Sequence, residues 1–231
     1  MTTADASTPS PSLEGDGYCP GVADWQTISS LATAGGTLVL ALATFSAVRS
    51  SNRSARVAEQ TLLTGMRPLL VPSLSSDPTQ KVLWHDRYAV RIEGGRAIAT
   101  FENGVIYLAI GVRNVGAGIA LLHGWSPHPT RAFADIPHAD VENFRRLTID
   151  LYIPANGAGY WEGALRDEDD PLYPQFVDTV KEREPFTVDL LYGDQDGGQR
   201  TVSRFMVMPG AEDVWYSQAV RHWNIDRADP R

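Results

Sequence analysis

Four side chains in one stretch, His128, Asp135, His138 and Asp140, are of the types that hold a divalent metal. Imidazole and carboxylate are ordinary zinc ligands, and a metal held by them could activate water for hydrolysis. Their spacing matches no ligand motif, and Pro127, Pro129 and Pro137 mark residues 126–143 as loop, with nothing rigid to present the ligands. The expectation is a polar loop. A metal-dependent or carbohydrate-active enzyme using this loop is the alternative function.

Other spacings resemble chemistry and fall short of it. The run Asp167-Glu168-Asp169-Asp170 offers clustered carboxylates to calcium, but it reads better as a solvated loop ending in a helix cap. Asp194-Gln195-Asp196-Gly197 mimics part of a calcium loop. Its glycine comes fourth rather than sixth, and Phe205 stands where the bidentate glutamate belongs. Gly116-Ala117-Gly118 resembles a dinucleotide loop. Leu121 replaces the third glycine and a strand pattern comes next, so no helix N-terminus would face a pyrophosphate. Residues 114–118 read instead as a hairpin turn. No Gly-x-Ser-x-Gly elbow occurs, and the single cysteine, Cys19, lies in the N-terminal tail. Trp84, Trp125, Trp161, Trp215 and Trp223 could form a binding platform, yet in a β fold they read first as core. No residue is assigned as catalytic, cofactor-binding or metal-binding, and no cofactor is expected.

The element that organises the chain is residues 25–48, opening at Trp25 and closing at Val48, without one Asp, Glu, Lys, Arg or His. As a helix it would be about 36 Å long, against about 30 Å of bilayer hydrocarbon. Trp25 stands at its edge, where an indole suits the lipid–water interface. Residues 1–24 carry a net charge of −4 and little apolar bulk, which reads as a disordered acidic tail. Residues 49–67 carry +3 through Arg49, Arg53, Arg56 and Arg67 and read as a juxtamembrane helical stalk stopped near Gly65 and Pro68. Basic residues are retained in the cytoplasm, so the expected topology is single-pass, tail outside and main domain inside. Ala32 with Gly36, and Ala43 with Ala47, are spaced for helix–helix packing and allow a homodimer through the span.

Residues 68–231 carry −7, which argues against nucleic acid as a partner because phosphate neutralisation needs a clustered basic face. Their pattern is short strands. Residues 81–93 and 96–102 flank Gly94-Gly95 as a hairpin; residues 105–113 read as a central strand; 145–153 alternate cleanly; 186–192 and 201–208 pair across the turn at 194–199. A helix is expected from Asp170-Pro171 to about Glu182, and a second over 212–223. The fold class is therefore mainly β: one transmembrane helix, a helical stalk, then an antiparallel β-sandwich, loosely Ig-like, over residues 68–231.

The segment ALATFSAVRSSNRSARVAEQTLLTGMRPLL and the later RNVGAGIA, in a chain where 18 of 20 basic residues are arginine, resemble uncharacterised single-pass membrane proteins of high-GC bacteria. The resemblance implies an anchored cytoplasmic β domain and brings no site residues. The function expected is a protein-interaction module held at the cytoplasmic face, with the bilayer and an unidentified protein as its partners.

Overall fold

The structure is a computed structural model that describes residues 25–226. Residues 1–24, including the expected tail and Cys19, and residues 227–231 lie outside the described residues. The chain divides into two compact units between Val57 and Ala58.

The described part of the first unit is helix, the larger part of α1, which runs from Trp25 to Gly65. Its stretch Ile28–Glu59 is long and apolar enough to cross a membrane, and the apolar window in it is wholly unburied. The Ser and Thr content of this run raises a desolvation question that the helix itself answers. Thr33 Oγ1 donates to Ser29 O, Thr37 to Thr33 O and Thr44 to Leu40 O, each at 2.8 Å, and Ser46 donates to Ala43 O. A hydroxyl bonded to a carbonyl one turn back needs no water, so it adds little cost in hydrocarbon.

The second unit is mainly β. Its strands are β1 (Leu70–Pro72), β2 (Gln80–Leu83), β3 (Ala89–Ile92), β4 (Arg96–Glu102), β5 (Val105–Asn114), β6 (Ala120–His128), β7 (Arg145–Ile153), β8 (Ala158–Leu165), β9 (Phe186–Gly193), β10 (Thr201–Pro209) and β11 (Trp215–Asn224), with a short helix α2 (Tyr173–Lys181). Among the described residues, all but β2 and β3 form one antiparallel sheet. One half is β8–β5 with β4 and β1 in succession along the far side of β5; the other is β11–β10–β9–β6–β7. Among the described residues only two ladder pairs join the halves, Trp215 with Ala97 and Tyr216 with Arg96. The sandwich is thus a single sheet curled on itself; among the described residues β7, β8 and the short β1 each have one ladder partner, and β7 and β8 are the long edges.

The core lies between the halves: Leu108 and Ile110 from β5, Trp161 from β8, Leu122 and Trp125 from β6, Leu190 from β9, Phe205 from β10, and Phe176 from α2. Each such side chain contributes roughly 1.5–3 kcal/mol by burial. The opposite face of β5 is also covered, because Tyr107 and Ala109 pack against Val82, Trp84 and Ile92 of the β2–β3 hairpin. Burial on both faces explains why β5 lacks the polar alternation of β7.

Several expectations are corrected. Residues 81–93 are not one strand: they fold into β2 and β3 around a turn in which Arg87 (φ 70°) donates to Trp84 O and the Asp86 carboxylate accepts from Tyr88 N–H. Gly94-Gly95 does not close a β3–β4 ladder, since those strands belong to different sheets. It allows close backbone approach instead, with a Cβ at Gly94 falling 2.0 Å from Leu74 O. Residues 114–118 are not a hairpin turn, because β5 and β6 do not pair; they carry the chain from one half to the other. Residues 212–223 are not a helix but lead into β11, where the ladder to β10 overrides a pattern compatible with both periods. The helix expected from Asp170 begins at Tyr173, with Leu172 as its cap and Pro174 in its first turn; the Asp170 carboxylate does accept Leu172 N–H as an N-cap would, but residues 170–172 form a turn ahead of the helix.

The 114–118 crossing is held by Asn114, which is fully buried. Its amide oxygen accepts from Leu69 and Gly116 N–H, and its nitrogen donates to Gly118 and Ile153 carbonyls. The segment leading into β1 lies hard against this turn: a Cβ on Gly118 would fall 1.8 Å from Met66 O. Gly118→Ala is therefore expected to cost about 1–3 kcal/mol by overpacking. Urea unfolding of the detergent-solubilised chain measures it, and an unchanged midpoint would mean that Met66 is not clamped.

Candidate functional site

The seam where the curled sheet fails to close holds the most functional-looking geometry of the β domain. β7 hydrogen-bonds to β6 alone and β8 to β5 alone, and the two edges bound a cleft of about 240 Å³ at the end of β7 nearest Arg145. Arg145, Arg146, Leu147 and Thr148 line it from β7, and Glu162, Gly163 and Ala164 from β8, with Arg166 beyond β8, Trp125 on β6 and Trp84 at the end of β2.

Period-2 alternation sets the side chains. Trp161 and Leu165 of β8 point to the main core, whereas Tyr160 and Ala164 pack with the β2–β3 layer. Glu162 shares that second face, which is why a carboxylate sits in an otherwise apolar strand at 7% exposure. Its Oε2 is buried and has no hydrogen-bond partner among the described residues. Burial pushes the Glu162 carboxyl up to about 7; Asp86 adds to the rise and Arg166 opposes it.

The three arginines differ in what they already do. Arg145 is paired with Asp170, and its guanidinium lies 5.4 Å from the Trp125 ring centre. Arg166 is 3.0 Å from Asp86 and over the Tyr107 ring. Burial opposes the Asp86 charge, yet hydrogen bonds from Tyr107 (2.6 Å) and Arg166 outweigh it and hold the carboxyl at about 2. Arg146 is exposed and makes no ion pair among the described residues. The cleft therefore offers one uncompensated positive charge beside one buried carboxyl that titrates near neutrality. Aromatic walls stiffen it: Trp84 Nε1 donates to Gly163 O at 3.2 Å, and Trp125 meets Trp161 edge-on at 5.2 Å.

The residues singled out from spacing are not gathered into a site. His128 Nε2 lies 3.3 Å from Asp189 Oδ2; His138 bonds Ala139 O through Nδ1 and stacks edge-on to Trp223; Asp135 and Asp140 are exposed. Among the described residues no group of three or more His, Cys, Asp or Glu is placed to hold a metal. Residues 126–143 are not all loop: 126–128 end β6 and 141–143 form a single 3-10 turn, and the loop between them serves a different purpose. Arg204 of β10 reaches into it and donates to the Phe133, Ile136 and Pro137 carbonyls while pairing with Asp189. In the acidic run, Asp170 pairs with Arg145 and Asp167 accepts from Asp169 N–H. Asp194 accepts from Gly198 N–H within the β9–β10 turn, which forms where expected. All five domain tryptophans are buried, as a core role requires, although Trp84 and Trp125 also line the cleft. Sequence reasoning passed over Glu162 and the three arginines. The one available signal was a lone carboxylate in the run Ala158–Leu165, whose other residues are all small, aromatic or aliphatic.

No protein-family model matches this sequence, and no curated protein matches it. Among solved structures the chain is similar to a crystal structure of a protein from Archaeoglobus fulgidus, with 12% identity, 58% of this chain and 96% of that chain covered, and a TM-score of 0.23. At that level nothing transfers to this chain.

Proposed function

We propose that this chain is a membrane-tethered protein-interaction module: residues 25–48 cross the bilayer, residues 1–24 lie outside, and the β domain docks a partner protein from the cytoplasmic face. The observation that carries the reading is the apolar surface of α1. Leu31, Leu38, Leu40 and Phe45 are each more than 60% exposed along the charge-free part of the helix, residues 25–48. Surface of that extent is unfavourable in water at roughly 25 cal/mol per Å² and finds its natural solvent in lipid. The internally bonded hydroxyls fit the same environment, and Arg49, Arg53 and Arg56 at one end favour the inward orientation. Within the β domain, the β7–β8 cleft is the feature suited to recognition, with aromatic walls and, in Arg146, a guanidinium that makes no ion pair among the described residues.

The full chain is expected to stay in the pellet after alkaline carbonate extraction of membranes, and a phosphatase fused after Arg231 is expected to be inactive. Release into the supernatant would overturn the anchoring, and an active phosphatase would overturn the orientation.

A further inference from the structure

The chemistry of the cleft specifies a class of ligand as well as a docking place, provided the β domain docks a partner protein as proposed. We infer that the β7–β8 cleft receives a carboxylate side chain presented by an extended, acidic segment of that partner, with Arg146 as its counter-charge and Glu162 as its hydrogen-bonding neighbour.

Charge is the first reason. Arg145 and Arg166 are neutralised by Asp170 and Asp86, so a single guanidinium, Arg146, remains to be matched. A monoanion satisfies it, whereas a phosphate dianion would leave one negative charge uncompensated beside Asp86 and Asp170. The rest of the domain is strongly acidic, which makes this arginine cluster a local exception that an acidic ligand can locate.

Burial is the second. Glu162 is more than nine-tenths buried, lines the cleft, and has an Oε2 without a partner among the described residues. Oε2 is closed off from solvent, but Oε1 is not among the closed-off atoms, so a ligand oxygen in the cleft can share the Glu162 proton there and offset part of the cost of a buried, poorly satisfied carboxyl.

Size and backbone argue for a segment of a larger molecule. At about 240 Å³ the cleft is smaller than the roughly 300–1,000 Å³ of sites that enclose free small ligands. It suits one side chain whose backbone stays outside. The edge of β7 turned away from β6 has no ladder partner among the described residues. An extended chain can pair with that edge as it passes, in the manner of strand addition.

Glu162 also makes the binding depend on pH. The charged groups that act on it are Arg166 and Asp86, Tyr160 lies beside it on β8, and Trp84, Arg145 and Arg146 line the same cleft. Below neutrality Glu162 is protonated and donates to the incoming carboxylate. As pH rises past about 7 it becomes a second anion and repels the ligand.

The test uses the full chain in nanodiscs and a fluorescent pool of randomised peptides with a fixed central glutamate, against the same pool with glutamine. The glutamate pool is expected to bind at pH 6 about tenfold more tightly than the glutamine pool, and to weaken about tenfold by pH 8. Arg146→Ala, at an exposed position that leaves packing untouched, is expected to lose about tenfold. Glu162→Gln is expected to retain binding at pH 8 and to flatten the pH profile. Equal binding of the two pools, absence of binding by both, or an unaffected Arg146→Ala would overturn the inference. Full competition by millimolar acetate would overturn the peptide source, because the carboxylate alone would then be the ligand. Photocrosslinking in native membranes separates the two levels. A partner that crosslinks equally to the parent and to Arg146→Ala leaves docking intact and removes the carboxylate, whereas a chain that crosslinks to nothing removes the docking reading itself.

Discussion

Arg204→Met is expected to destabilise the β domain by about 3–5 kcal/mol, a large share of the roughly 5–15 kcal/mol that holds a domain together. Arg204 and Asp189 are both 0% exposed and meet through two parallel bonds of 2.7 Å, Nε to Oδ1 and Nη2 to Oδ2. The remaining guanidinium donors go to Phe133 O at 3.0 Å, Ile136 O at 2.7 Å and Pro137 O at 3.2 Å, so all five N–H groups are used. The Trp223 ring lies 4.9 Å away over the guanidinium plane. Burial opposes the Asp189 charge, yet the hydrogen bonds of Arg204 and His128 outweigh it and hold that carboxyl below the ordinary range. Methionine fills similar space but leaves Asp189 buried as an anion with only His128 nearby.

Converting both partners, Asp189→Leu with Arg204→Met, is expected to recover much of the loss, since most of it is the cost of an orphaned charge. The loop carbonyls would still lack donors, so proteolysis at residues 133–137 should remain faster than in the parent. Urea unfolding of the detergent-solubilised chain, followed by tryptophan fluorescence, reads the energies. A single variant within 1 kcal/mol of the parent would refute the account. Because Asp189 titrates lower in the folded state, the stability it confers is present above about pH 4 and disappears as acid protonates it.

Glu162 predicts the opposite pH dependence. Its folded-state pKa of about 7 lies above the ordinary value of 4.5, so between these limits the folded chain binds the proton more tightly than the unfolded one. Stability from this group is complete below about pH 4.5, declines as pH rises, and is gone above about 7. At 1.36 kcal/mol per pKa unit the loss amounts to about 3 kcal/mol. Glu162→Gln carries no charge, and whatever its amide costs in that site is the same at every pH. The stability difference between parent and variant should therefore shift by about 3 kcal/mol toward the variant between pH 4 and pH 8. A constant difference across that range would show that Glu162 is solvated in the folded protein, and would remove the reason for its role in the cleft.

What the amino-acid sequence determined by itself is the local architecture. A charge-free run starting at Trp25 can only be a long apolar helix, and the alternation of Leu147, Ile149, Leu151 and Ile153 imposes a strand. The β9–β10 hairpin arises from two apolar runs around the turn at Asp194. These features depend on neighbours within a few residues, so periodicity and turn chemistry reveal them.

Tertiary structure decided everything that depends on partners distant in the chain. Residues 215–224 satisfy helical and strand spacing about equally, and only the free edge of β10 makes them a strand. Asn114-Val115-Gly116-Ala117-Gly118 has turn chemistry, but its glycines serve the close passage of residues 66–69, some 50 positions earlier. The cleft joins Trp84, Arg146 and Glu162 because the sheet curls until its two edges meet, and no local spacing encodes that meeting. Arg204 looks like any strand arginine until the loop that wraps it is in place. Local patterns report which face of an element is apolar; the energy of a buried charge depends on which distant groups the fold brings to it.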